Sequence, residues 1–475
     1  MKFDEINLLC YKNKKLFPFV KKQKDNLTEK NLNLIMKKIK DIFLLFPKVL
    51  FYYDNKEDIV YKKEDNNYYV NLNDLKKINF NIFRKRIFLF LKDILKIEKN
   101  LIFSFPFELD FLECIDIVNE ISLNVTNPFQ ELKLKKVNYK IENIIYDFNI
   151  NEKECFDFLK EKYDIYYFNL FNKRLVNLPS NIKTPSYIRD YVLKFSKKLG
   201  FKVEELDVNK FPLIKGVSSG SIKKPFFLKM SYNGLKDKKS KPIVFVGKGV
   251  TFDSGGICIK PSPYMRDMKS DMAGASNVIH FMFLVSKLKL KVNVIGLVPL
   301  VENMPGNDAY RVDDVIKSFL GKSVEIAHTD AEGRLILADA LEYATKLKPK
   351  LIVDLATLTG ACSIALGPEY AAIITNTTDE KNKLISSGLI AYEKYWELPF
   401  EKNYMEMLKS NVADIKNIYE GSYGPGTITA GLFLSEFVKD TPWIHLDIAS
   451  TSFIKEASPE CEYGATGFSL KTLIE

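Results

Sequence analysis

Residues 242–256, PIVFVGKGVTFDSGG, join an unbroken apolar run to a glycine-dense turn that carries Lys248 and Asp253. A strand that is near-continuously apolar is buried on both faces, which is the situation of a strand in a parallel sheet covered by helices. The same texture recurs in VNVIGLVPLV (292–301), SVEIA (323–327), KLIVDLATL (350–358) and WIHLDIA (443–449), with helix-period stretches over 276–288 and 335–347. The expected fold is α/β, with a mainly parallel central sheet covered by helices on both faces. In such sheets the ligand crevice lies beyond the carboxyl ends of the strands. The polar clusters fall there: 247–256 after PIVFV, 329–334 after SVEIA and 357–360 after KLIVDLA.

Working outward, 475 residues exceed one ordinary hydrophobic core. Up to about residue 165, strand-like runs (KVLFYY, NNYYVNL, NLIFSFPF) alternate with helix-period stretches over 83–97 and 111–123. A small α/β domain over 1–165, structural or assembly-related, and a larger catalytic α/β domain over 166–475 are therefore expected. Hydrophobic residues make up 46% of the chain and charged residues 27%, which excludes a disordered polymer. No run of about 18 apolar residues and no secretory leader is evident. The six cysteines form no CxxC pair, so reduced thiols in a cytoplasm are expected. The net charge of +10 permits nucleic-acid binding, or reflects the lysine and asparagine bias of an AT-rich genome. Lysine-rich pieces at 21–24 and 236–241 read as solvated loops or helix faces.

Three histidines, His280, His328 and His445, are too isolated for a multi-histidine zinc site, so a metal here needs carboxylates. Asp253 lies in GKGVTFDSGG, Asp271 in MKSDMAGAS, and Asp330 and Glu332 in TDAEGRL. Oxygen-rich ligands suit Mn, Mg and Zn, and clustered carboxylates can bridge two ions. Taken singly, each of these residues also reads as a turn, helix-cap or first-turn acid. Lys248, Lys260 and Arg334 share the same loops, either as counter-charges or as a neutral amine ligand, an oxyanion donor and an anion holder.

GKGVTFDSGGICIK, MRDMKSDMAGAS and HTDAEGRLILADAL resemble the leucyl (cytosol) aminopeptidase family, whose signature is close to NTDAEGRL. The likeness runs from about Leu175 to the closing GATGFSL. It implies hydrolysis of the N-terminal amino acid, leucine and other mostly apolar residues, from peptides. It implies two divalent ions per subunit, Mn or Zn first and Co or Mg as alternatives. Asp253 and Glu332 would bridge the ions, Lys248 and Asp271 would complete one site, and Asp330 the other. Lys260 would polarise the scissile carbonyl, while Arg334 and the main chain near Leu358 would hold a bicarbonate general base. Met268, Thr357, Gly360 and Ala449 would form the pocket for the first side chain. A homohexamer, a dimer of trimers, is implied as well.

Three departures from the family bear on loop geometry. His328 replaces a usual Asn, Val312 and Asp313 replace a usual Pro-Gly, and Ser450 replaces a usual Gly. His328 reads as packed or solvent-facing, His280 as core, and His445 as part of a buried strand. Two rival functions are an additional DNA-binding role and an inactive relative that keeps the fold. Retention of seven polar site residues argues against the second.

Overall fold

The computed structural model describes residues 7–12, 15–18, 48–52, 61–71, 80–98, 100–105, 110–130, 132–137, 139–140, 143–147 and 152–475, apart from 236, 238–239, 422–423 and 462. The lysine run at 21–24 lies outside the described residues. The chain divides into two compact units, Met1–Leu170 with Lys455–Tyr463, and Phe171–Ile454 with Gly464–Glu475.

The smaller unit contains strands β1 (Asn7–Lys12), β2 (Lys15–Pro18), β3 (Lys48–Tyr52), β4 (Tyr61–Glu64), β5 (Asn67–Asn71), β6 (Asn100–Ser104) and β7 (Asn143–Asp147). They form one sheet in the order β2-β1-β7-β6-β3-β5-β4. Helices Phe80–Ile94 and Phe111–Thr126 accompany it, the second capped by Asp110, which accepts from Glu113 N–H at 2.9 Å. Large aromatic side chains fill the interior: Phe90, Phe103 and Tyr146 are fully buried, and Phe90 and Phe103 meet edge to face at 6.4 Å. Segment 455–463, which the sequence leaves in the larger domain, joins this unit. Arg84 pairs with Glu460, and Asn124 donates to the Pro459 carbonyl at 3.0 Å. Such tertiary pairings over long sequence separations leave no local signal.

The larger unit contains β8 (Lys202–Leu206), β9 (Phe226–Asn233), β10 (Ile243–Gly247), β11 (Gly249–Asp253), β12 (Asn293–Asn303), β13 (Val315–Lys317), β14 (Ser323–Glu325), β15 (Leu351–Ala356), β16 (Tyr370–Thr375), β17 (Lys394–Glu397), β18 (Ile415–Lys416) and β19 (Trp443–Asp447). Its principal sheet runs β17-β16-β19-β15-β10-β12-β9-β8, with β11 beside β12. The centre, β19-β15-β10-β12, is parallel, and antiparallel pairing appears only towards the edges. Both faces are covered, as β10 shows. Val244 and Val246 join a cluster with Leu335, Leu341 and Phe433, whereas Phe245 between them meets Phe281 of helix Ala273–Lys287 at 4.4 Å. This is the doubly covered α/β sheet that the apolar runs predict.

One predicted strand lies elsewhere. SVEIA contributes β14, which belongs to a separate three-stranded sheet, β13-β14-β18, and not to the principal one. β12 is flanked on one side by β9 along residues 293–300 and on the other by β10 and then β11. With both sides of β12 occupied, the segment pairs instead with β13 and β18.

Candidate functional site

Lys248 stands between β10 and β11. Its N–H donates to Leu355 O at 3.0 Å and its carbonyl accepts from Ala275 N at 2.9 Å, which ties it to the end of β15 and to the start of helix Ala273–Lys287. The side chain passes over Gly333, where an added Cβ would come within 2.3 Å of Lys248 Cε and would displace the lysine. Lys248 Nζ donates to Asp271 Oδ1 at 2.6 Å and to Thr357 O at 2.8 Å, and lies 3.0 Å from Glu332 Oε1.

Asp253 ends β11. Its Oδ1 accepts from Gly255 N–H at 2.9 Å and Asn303 Nδ2 at 2.8 Å, and its Oδ2 is 2.9 Å from Lys260 Nζ. Lys260 Nζ is also 2.5 Å from Asp330 Oδ1. Gly255, at φ 90°, occupies the left-handed region and turns the chain under Asp330. Asp271 follows the short turn Met268–Ser270; Thr357 Oγ1 donates to its Oδ1 at 2.8 Å, while its Oδ2 is buried without a hydrogen-bond partner. Glu332 opens helix Glu332–Lys346, where the helix dipole favours a negative charge. One carboxylate oxygen from each of Asp253, Asp330 and Glu332 lies within 4.8 Å of the others, close enough to share a cation.

Four carboxylates thus face two ammonium groups. Burial would lower the pKa of Lys248, but Asp271, Glu332 and Asp253 override burial and raise it. Lys260 behaves likewise under Asp253, Glu332 and Asp330. Burial and the neighbouring acids Asp253 and Glu332, opposed by Lys260, push Asp330 up to about 7. Burial raises Asp271 well above the usual carboxylate range despite Lys248. Negative charge is in excess, and the donor set is oxygen-rich with one amine, which fits hard or borderline divalent cations.

Arg334, two residues along the same helix, is buried and donates from Nη1 to Asn417 O at 2.8 Å, while its Nε has no partner. Burial lowers its pKa to about 10, against the pull of Glu332 and Asp447. Thr357 joins the carboxylate cluster directly, and Met268 begins the turn that ends at Asp271. Leu358 and Ala449 both donate their N–H groups to Asp447 Oδ1, at 3.1 and 3.2 Å, and Gly360 opens helix Gly360–Leu366 beside them.

Sequence reasoning passed over three supporting residues. Asn303 holds Asp253 and donates to Thr329 O at 3.0 Å. Asn417 accepts from Ala327 N at 2.8 Å and donates to His328 O at 2.8 Å, and so fixes the loop that carries Asp330. Asp447 ends β19, and its position at a carboxyl strand end was the available signal.

Of the histidines, exposed His328 accepts the Asp330 N–H on Nδ1 at 3.2 Å, beside the cluster. Burial and nearby Lys260 lower its pKa. His280 and His445 are fully buried. Asp313 adopts φ 70°, a region natural to the glycine it replaces and tolerated by Asp. Ser450 Oγ donates to Tyr370 O at 2.7 Å.

Known proteins resemble this chain over most of the larger unit. The family model described as cytosol aminopeptidase family, catalytic domain, matches residues 170–474. A probable cytosol aminopeptidase of Geobacter sulfurreducens is 44% identical over 310 residues, 64% of this chain and 62% of the relative. One of Syntrophotalea carbinolica is 42% identical over 306 residues, 63% of this chain and 61% of the relative. The chain therefore spans about three fifths of the length of these curated relatives. Among solved structures, the bottromycin maturation enzyme BotP in complex with Mn superposes with a TM-score of 0.79 at 28% identity, covering 90% of this chain and 98% of that one.

Proposed function

This chain belongs to the cytosol aminopeptidase family, and on that basis we propose that it is a metal-dependent aminopeptidase that removes the N-terminal residue, leucine or another mostly apolar amino acid, from peptides. The observation that carries the proposal is the convergence of Asp253, Asp330 and Glu332 within 4.8 Å at the carboxyl end of the sheet, with Asp271 and Lys248 alongside. A scaffold has no physical use for an excess of buried like charge.

Asp253 and Glu332 would hold both of two divalent ions, Lys248 and Asp271 one of them, and Asp330 the other; Mn or Zn suits the set best, with Co or Mg as alternatives. Two ions at that position supply Lewis acidity, which acidifies water and polarises an amide carbonyl. Arg334, whose buried Nε lacks a partner, would hold a bicarbonate anion together with the main chain near Leu358.

The chain's own groups do the rest. Lys260 keeps its proton and presents a positive charge to the oxygen that becomes negative as the scissile carbonyl is attacked. Met268, Thr357, Gly360 and Ala449 receive the first side chain. Asn303 and Asn417 hold the loops still, so that little reorganisation is left for the reaction. The smaller unit serves assembly into a homohexamer, which sedimentation of the purified chain measures. Among the described residues no helix is long and apolar enough to cross a membrane.

The test compares leucyl peptides with free and acetylated N-termini. A free amine is required if it anchors the substrate, so acetylation should abolish turnover while changes at the C-terminus matter little. Equal cleavage of both forms removes the aminopeptidase assignment.

A further inference from the structure

Asp447 is fully buried at the end of β19, and no lysine or arginine lies within ion-pair distance of it among the described residues. Its carboxylate is satisfied by neutral donors from two loops. Oδ1 accepts from Leu358 N–H at 3.1 Å, Thr359 N–H at 3.5 Å and Ala449 N–H at 3.2 Å, and Oδ2 accepts from Thr359 Oγ1 at 2.6 Å. The β15–β19 ladder ends at the Ala356–Asp447 pair, followed by one bond from Ile448 N to Ala356 O at 2.8 Å. Past that point the carboxylate ties the two loops together.

Those loops are the ones that carry Thr357, Leu358, Gly360 and Ala449. We infer that Asp447 is a positioning residue: it sets the separation of loops 357–360 and 448–450, and thereby the width of the pocket that selects the substrate's first side chain. This rests on the aminopeptidase reading above.

The hydrogen-bond directions support the assignment. The hydroxyl of Thr359 has one hydrogen, and the 2.6 Å contact to a carboxylate commits it to Asp447. Thr359 Oγ1 must then accept from Thr427 Oγ1 at 2.8 Å and from Cys362 N–H at 3.2 Å. The carboxylate therefore orients a chain of donors that reaches helix Gly426–Ser435 and caps helix Gly360–Leu366. An amide cannot reproduce this, because it offers one acceptor oxygen where two are in use. None of the proposed metal ligands bonds to Asp447, so pocket geometry and ion binding are separable in experiment.

The experiment uses the full chain loaded with Mn and compares wild type with Asp447→Asn, Thr359→Val and Thr359→Ser. Asp447→Asn and Thr359→Val should keep the wild-type metal content. Each should raise KM for a leucyl peptide by roughly tenfold, with a smaller fall in kcat, and flatten the preference for leucyl over alanyl substrates. Thr359→Ser retains the hydroxyl donor and should restore both KM and preference. Thr359→Val avoids burying a new polar group, so it reports even if Asp447→Asn folds poorly. An unchanged KM and preference in both variants would make Asp447 a core acceptor only and overturn the inference. Loss of metal in step with turnover would overturn it too. A wild-type chain that turns over no free-amine peptide fails the aminopeptidase reading itself, and this inference with it.

Discussion

Each unit of the molecule buries a cluster of charges, and the two clusters are built differently. In the smaller unit Arg84 donates from Nη1 to Glu120 at 2.5 Å and from Nη2 to Glu460 at 3.3 Å. Burial would lower the guanidinium pKa, but the two carboxylates more than compensate and raise it. In the larger unit four carboxylates share two ammonium groups, Asp271 Oδ2 has no partner, and Asp330 is pushed up to about 7. Both clusters set two carboxylates against each cation, but in the first, one guanidinium bonds both acids directly. The second is open, with a buried carboxylate oxygen left unpaired and an acid held half-protonated near neutrality, and that difference separates a structural ion pair from a site built to receive something.

Substitutions should act in opposite directions on the two clusters. The largest effect is expected from Asp253→Ala or Glu332→Ala, which remove an acid proposed to serve both ions. Turnover should fall by several kcal/mol of transition-state stabilisation, on the order of 10³-fold, and further than for Asp271→Ala; steady-state kinetics on the three variants checks this.

Next come the two lysines. Lys260→Ala should keep its ions and lose roughly 2 to 4 kcal/mol in kcat, whereas Lys248→Ala should weaken ion binding itself. Metal titration beside kinetics separates them, and the reverse pattern would show that the roles are exchanged.

In the closed cluster, Arg84→Met strands a buried carboxylate and should cost about 3 kcal/mol of stability, read by denaturant unfolding, without altering kcat per folded molecule. In the open cluster, Asp330→Asn removes one of the crowded charges. With chelator present it should raise the melting temperature by roughly 1 to 2 °C while activity is lost. A melting temperature lowered in both variants would erase the distinction between the clusters.

The smallest effect concerns a closed polar site in the larger unit. His280 Nδ1 donates to Ser276 O at 2.8 Å and its Nε2 faces Tyr191 OH at 2.9 Å, and burial lowers its pKa from 6.5 to about 3. Above pH 6.5 neither folded nor unfolded histidine is charged and stability is fully present. As pH falls towards 3 the unfolded chain binds a proton that the fold refuses, so stability declines. His280→Gln should flatten the pH dependence of unfolding in that window by at most one proton, and an unaltered slope would show that His280 does not contribute.

The parallel sheet was legible because β10, β12, β15 and β19 are near-continuously apolar, a pattern that double-sided burial explains. The acids and lysines of the site were legible because each stands beside a strand end or helix start, where backbone geometry leaves polar groups to be used. The placement of β14 was not, since a three-residue strand carries too little pattern to specify its partners. Nor were Asn303, Asn417 and Asp447, whose side-chain partners, the Ala449 N–H on Asp447 apart, lie 26 to 90 residues away in the chain. A buried amide or acid that organises loops has the same local sequence as one that merely ends a strand.

The central claim is that the open cluster exists to hold divalent cations that the chemistry needs. Elemental analysis of the purified chain, paired with turnover of a leucyl peptide before chelation, after it and after readdition of Mn, Zn or Co, tests this most directly. Two divalent ions per chain are expected, with activity lost on their removal and recovered on their return. Full turnover by a chain that carries no metal would contradict the account.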